Sequence, residues 1–215
     1  HDSFTGSQGL VVKARNVVVR NVLVQNVRRA GFKVESGARQ VRFEDCRAVR
    51  CRGVFGDGFI ALWAREISYK RCRAYDFTRI GFVADTYGEP GSYCSQIIYE
   101  DCHAEYGHNA SRLYGGGEYN SGWWSEYSHD VTYRNCVAVD MTHHGFTATS
   151  GIRPSSMAKN AAPAFQFENC QCRDTHNGFI VRGYKEIPVA ATLRDCMADI
   201  DDESAFSVSG LAGDS

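Results

Sequence analysis

The chain has no surplus of charge, no long apolar run, little leucine and no Cys-x-x-Cys pair. Its 24 Lys and Arg stand against 25 Asp and Glu, a net charge of −1. It therefore offers no basic field to nucleic acid and no polybasic anchor to a membrane surface. No apolar stretch approaches the roughly 20 residues of a membrane-spanning helix. The first residues, His1 to Gly6, lack the basic and apolar regions of a signal peptide. Helical apolar spacing is missing, which excludes ankyrin- and tetratricopeptide-type arrays, and the scarcity of leucine excludes a leucine-rich horseshoe. Nine cysteines in 215 residues suggest a disulfide scaffold, but the number is odd and no Cys-x-x-Cys occurs.

The cysteines are positional instead. Cys46, Cys72, Cys102, Cys136, Cys170 and Cys196 recur at 26, 30, 34, 34 and 26 residues inside the phrases FEDCRA, YKRCRA, YEDCHA, YRNCVA, FENCQC and LRDCMA. An earlier copy, VRNVLV from Val19 to Val24, has no cysteine, which makes seven copies. Each is followed by Gly or Ala and an aromatic, beginning with Gly31-Phe32 and ending with Ala205-Phe206. Between these landmarks apolar residues alternate at period two, as in Val41-x-Phe43 and Phe59-x-Ala61, which signals strands.

A repeat of this length with about three strands predicts an all-β solenoid, a right-handed parallel β-helix of about seven coils of three short strands. Each strand pairs with its counterpart one coil on, at about 4.8 Å, so the stack spans roughly 34 Å. Three interior columns follow. Phe32, Phe59, Phe82, Trp123, Phe146, Phe179 and Phe206 form one; Val19, Phe43, Tyr69, Tyr99, Tyr133, Phe167 and Leu193 a second; Val24, Ala48, Ala74, Ala104, Ala138, Cys172 and Ala198 a third. Lys33, Ile60, Val83, Trp124, Thr147 and Ile180 should then point outward. Asn21, Asp45, Asp101, Asn135, Asn169 and Asp195, interrupted by Arg71, fall at a turn where short polar side chains serve backbone groups that the sheets leave unpaired. The cysteine column reads as buried thiols acting as small hydrophobes. Cys51, Cys94 and Cys172 lie off it and are the candidates for a disulfide. Residues 1–215 form one β-helix domain. Neither an N-terminal amphipathic helix nor a polar cap is visible, so a section of a longer solenoid, or a larger assembly through uncapped coil ends, stays open.

These repeated turn-polar, apolar and Gly-aromatic phrases, from about Arg15 to Gly210, resemble the pectate-lyase-like superfamily of right-handed parallel β-helices. The resemblance is specific for fold and unspecific for activity. It implies an extracellular or cell-surface protein with a polysaccharide partner, either a carbohydrate-active enzyme or a noncatalytic structural or glycan-binding solenoid of a surface, filament or phage-tail assembly. The superfamily's hydrolase set of Asn-x-Asp, Asp-Asp, Gly-His-Gly and Arg-x-Lys is not reproduced, and neither is the epimerase phrase Asp-Pro-His-Asp.

Chemistry has two places to sit. Insertions at Asp85–Cys94, Tyr106–Ser121 and Ser150–Pro163 could wall a groove beside the Gly-aromatic strands. Tyr114 and Tyr119, in the second, suit stacking on sugar rings, with self-packing of the loop as the alternative. The positions just before the Gly-aromatic pairs collect Asp57, Arg79, Asn120, Ser121, His143, His144, His176 and Asn177, and coil stacking should bring His143 or His144 beside His176 or Asn177. For a uronan, C5 deprotonation needs a base, a proton donor and a cation for the carboxylate. His144 and His176 are the candidate base and acid and Arg79 the carboxylate partner. His143, Asn177, Asn120, Tyr114, Tyr119 and Trp124 are candidates for substrate binding. Solvated turn residues are the plain alternative. No metal ligand set is assigned. The acidic run Asp199–Glu203 could hold Ca2+, a solvated turn being the simpler reading, and the histidines lack a zinc spacing.

Overall fold

The computed structural model of the protein describes residues 7–86, 93–108, 120–150, 163–183 and 189–209, and of 201–203 the backbone alone. In chain order the strands are β1 (Leu10–Val12), β2 (Arg15–Arg20), β3 (Leu23–Val27), β4 (Phe32–Val34), β5 (Arg39–Glu44), β6 (Arg47–Cys51), β7 (Phe59–Leu62), β8 (Arg65–Lys70), β9 (Arg73–Phe77), β10 (Ile80–Asp85), β11 (Cys94–Glu100), β12 (His103–Gly107), β13 (Ser121–Glu126), β14 (Ser128–Arg134), β15 (Val137–Thr149), β16 (Ala164–Glu168), β17 (Gln171–Arg182), β18 (Ala190–Arg194) and β19 (Met197–Ser209). All pairings are parallel, each strand with its counterpart about one coil away. The result is a right-handed parallel β-helix. Among the described residues no helix is long and apolar enough to cross a membrane.

One sheet runs β2-β5-β8-β11-β14-β16-β18. A second holds the cysteine-phrase strands β3, β6, β9 and β12, and a third run holds the Gly-aromatic strands β1, β4, β7, β10 and β13. These two merge at β15 because β15, β17 and β19 each continue through the corner that separates two strands in earlier coils. The three-short-strand coil therefore holds for the first part of the solenoid and becomes a two-strand coil in the last. β1 adds a front rung, Leu10 pairing with Phe32, that carries no aromatic landmark.

The three interior columns stand in the expected register. Phe32 through Phe179 are at most 1% exposed, whereas Phe206 on the last rung is 47% exposed. Rings in this column stack at 4.5–5.1 Å between centroids. The second column stacks in the same way and meets the first edge-on, as Tyr69 meets Phe82 at 6.0 Å and 74°. The glycine before each ring is required by crowding: a Cβ on Gly81 would lie 2.7 Å from the Gly122 carbonyl oxygen and 2.8 Å from Ala104 Cβ.

Strand bends are made by left-handed residues in three columns. Asn16, Gln40, Glu66, Gln96 and Asp130 have φ of 54–57°; Asn21, Asp45, Arg71, Asp101, Asn135, Asn169 and Asp195 have 50–55°; Asn26, Arg50, Asp76, Tyr106, Asp140 and Asp174 have 50–64°. Arg71 fits the second because its Nε and Nη2 donate to both Asp45 carboxylate oxygens, at 2.7 and 2.8 Å.

All nine thiols are unpaired, so no disulfide forms among Cys51, Cys94 and Cys172. In the main column Sγ donates to backbone carbonyls, as Cys102 does to Tyr69 and Glu100 at 3.4 and 3.3 Å. Burial pushes the Cys94, Cys136 and Cys172 thiols up, which makes them poor nucleophiles. Outward-pointing Ile60, Val83, Thr147 and Ile180 differ from expectation in being buried. Ile60 and Val83 form a second apolar cluster with Ala30, Leu62 and Ile80, against which Trp63 and Trp124 pack. This outer wall is covered rather than solvated.

Candidate functional site

The histidines sit where β15 and β17 pass through the merged corner. The register slips between Met141 and His144, and again around Thr175 in the next pairing. Such irregularities re-aim side chains. The His143 ring lies 5.8 Å from that of His144 and 6.3 Å from that of His176, nearly perpendicular to each. His144 pairs in register with Ser121 on one side and Asn177 on the other. All three histidines are half-buried and Asn177 is buried. Coil stacking thus brings His143 and His176, which are 33 positions apart in the chain, into one cluster.

Asn120, expected to face a substrate, is fully buried. Its Nδ2 donates to the Arg79 carbonyl at 3.1 Å, its Oδ1 accepts from Thr142 N at 3.2 Å, and its own carbonyl accepts from His144 N at 3.1 Å. A buried amide must satisfy its polar atoms. Asn120 does so by fixing the backbone on either side of the histidines.

Arg79, expected to meet a substrate carboxylate, meets a protein one. Its Nε and Nη2 donate to Asp57 Oδ1 and Oδ2 at 2.8 and 2.5 Å. The two side chains are 16% and 2% exposed, and the guanidinium lies over the Phe55 ring at 5.2 Å. The fork geometry that would recognise a uronate is filled by Asp57.

Trp124 donates from Nε1 to Glu126 Oε2 at 3.1 Å and packs on the outer apolar cluster. Burial pushes the Glu126 carboxyl up, the Trp124 bond opposing it. Tyr114 and Tyr119 lie outside the described residues, as does most of each insertion. So do the side chains of Asp201, Asp202 and Glu203 in the run considered for Ca2+. Among the described residues no group of three or more His, Cys, Asp or Glu side chains is placed to hold a metal ion.

Two clusters escape sequence reasoning. His129 Nδ1 lies 2.9 Å from Asp130 Oδ2, with the Tyr93 ring at 4.4 Å and Arg65 over that Tyr at 4.6 Å. Elsewhere Arg52 holds Asp76 at 3.1 and 2.5 Å, beside a row of rings formed by Tyr75, Tyr106 and His108. The His129-Asp130 dipeptide is visible in the sequence; the other members meet through stacking of coils.

No protein-family profile matches the chain, and no curated protein matches it. Solved structures do. Pectate lyase Pel9A is 12% identical with a TM-score of 0.56, the match covering 96% of this chain and 53% of that one. A tailspike protein, gp49 of Acinetobacter baumannii bacteriophage Fri1, a capsular polysaccharide depolymerase, is 10% identical with a TM-score of 0.44, covering 95% and 41%. At 12% identity the likeness to Pel9A establishes the fold, and this chain spans about half the length of that lyase.

Proposed function

We propose that this β-helix acts on an acidic polysaccharide by proton transfer, as a lyase, with the His143–His176 pair as the reacting groups and His144 beside them. The observation that carries the reading is the 6.3 Å approach of those two rings on adjacent rungs of one corner. A neutral imidazole takes the C5 proton of a uronate. The C4–O bond then breaks, its electron pair leaves with the glycosidic oxygen, that oxygen takes a proton from the second, protonated imidazole, and a C4–C5 double bond remains. Histidine can serve in both protonation states near neutral pH.

Both rings rise from the same rim, so base and acid reach the sugar from one side. One-sided removal requires the C5 hydrogen and the C4 oxygen on the same face, as in β-mannuronate and glucuronate; in galacturonate they lie on opposite faces. Epimerisation would need a donor across the ring, which this pair does not supply. The site therefore favours elimination on mannuronan or glucuronan. Asn120 acts as a positioning residue through the His144 backbone, and Arg79, held by Asp57, supports it through the carbonyl that accepts from the Asn120 side chain.

A noncatalytic glycan-binding or assembly solenoid is the second reading. The filled Arg79 fork favours it. His176→Ala separates the two. As a lyase, the chain should lose roughly 10²-fold or more of its unsaturated-product formation with an unchanged far-UV spectrum; a binding solenoid would show no turnover to lose.

A further inference from the structure

On the outer face of β6, β9 and β12 two arginines stand exposed. Arg47 and Arg73 are neighbours in register, both exposed, and neither makes an ion pair or side-chain hydrogen bond among the described residues. Other surface cations are paired, Arg20 with Glu44, Lys70 with Glu100 and Arg71 with Asp45. The next residue in the Arg column is His103. Its Nε2 is buried without a hydrogen bond. Burial holds this imidazole below its usual range, with Arg73 adding to the shift and Glu105 opposing it, so it is neutral near pH 7 and can either donate or accept.

These three line a depression of about 200 Å³ with Val49, Tyr75 and Glu105. Tyr75 and Tyr106 stack on each other at 5.9 Å and are each 43% exposed, and His108 stands edge-on to Tyr106 at 4.3 Å. A half-exposed aromatic pair beside two exposed guanidiniums offers apolar contact and positive charge on one surface. It matches a ligand with flat apolar ring faces and repeated carboxylates: the rings lie on the tyrosines and the carboxylates enter the arginine forks.

We infer that the outer face of β6, β9 and β12 is a binding surface for an acidic glycan strand, anchored by Arg47 and Arg73 and stacked on Tyr75 and Tyr106. The strand runs along the solenoid axis, since successive rungs present the same side chains at about 4.8 Å, a repeat comparable with one sugar residue. A single-stranded nucleic acid would need a broad basic field, whereas Glu105 lies in the depression and the chain carries a net −1. The surface leads along β12 and β15 toward the histidine corner, and its anchors, Arg47 and Arg73, lie on earlier rungs and take no part in the proton transfer.

Isothermal titration of the full chain with an oligouronate, its methyl ester and a single-stranded oligonucleotide tests this. The unmodified protein should bind the oligouronate and not the ester. Arg47→Ala/Arg73→Ala should weaken binding roughly tenfold or more, since each arginine removed loses a charge-assisted bond to a carboxylate. Tyr75→Ala should weaken it also. Should the double variant lose its far-UV spectrum, Arg73→Gln carries the same test. Unchanged affinity in a folded arginine variant, equal affinity for the ester, tighter binding of the oligonucleotide, or no binding of oligouronate would each overturn the inference.

Discussion

The Asn169 side chain donates from Nδ2 to Oδ1 of Asn135, 34 residues earlier, at 2.9 Å, and Asn135 donates in turn to Asp101 at the same distance. Both asparagines have φ of 51°, a region that costs most side chains about 1–2 kcal/mol. Asn169→Ala should therefore lower stability by about 1–2 kcal/mol in urea denaturation. Asn169→Gly keeps the backbone conformation and loses the side-chain bond, and should cost less. Equal losses would place the role of this column in its side-chain bonds rather than in its conformation.

Position along the stack should grade the aromatic column. Phe146 is fully buried between Trp123 at 4.5 Å and Phe179 at 4.9 Å, and Phe146→Ala should cost about 3–5 kcal/mol. Phe206 has one stacked neighbour and a half-exposed ring, so Phe206→Ala should cost under about 1.5 kcal/mol. Denaturation midpoints of the two variants check the gradient.

The Arg79–Asp57 pair should be asymmetric in its failure. Asp57→Asn leaves a largely buried guanidinium without its counter-charge and should cost about 3–5 kcal/mol. The double variant Arg79→Met/Asp57→Asn should recover a substantial part of that loss. A double variant that is worse than Asp57→Asn would assign the pair a stabilising role beyond mutual neutralisation.

Cys51 gives a pH signature. Burial, with the Asp57 carboxylate adding to it, pushes this thiol up to about 12, against about 8.5 for an exposed thiol. The folded protein holds the proton more tightly, so the contribution is fully present below about pH 8.5 and is lost as pH rises toward 12. The stability of the unmodified protein relative to Cys51→Ala should be flat up to about pH 8.5 and fall above it. A difference that grows with pH would contradict the burial of this thiol.

The interior was legible in the sequence because each rung repeats the same demand: Phe59 and Phe82, or Ala74 and Ala104, occupy equivalent space, and seven copies average out local exceptions. The left-handed columns were legible only where Asn and Asp dominate. Gln40, Glu66, Arg50 and Tyr106 adopt the same conformation with side chains that give no such signal, because the closed coil imposes it on them. The fusion within β15 and β17 was not legible, because Asp140 and Asp174 keep the left-handed bend residue of the earlier coils and the sequence there reads like any other corner. At the site, the approach of His143 to His176 follows from stacking. The Arg79–Asp57 pairing does not, since it joins residues offset by one position between rungs. The cover over Ile60 and Val83 is a tertiary property with no local mark.

The most direct measurement is formation of unsaturated product, followed by its ultraviolet absorbance, when the unmodified protein is incubated in parallel with mannuronan, glucuronan and pectate. A histidine pair acting from one side should release product from mannuronan or glucuronan and at least tenfold less from pectate. Faster cleavage of pectate would contradict one-sided elimination, and no product from any of the three would contradict the lyase reading itself.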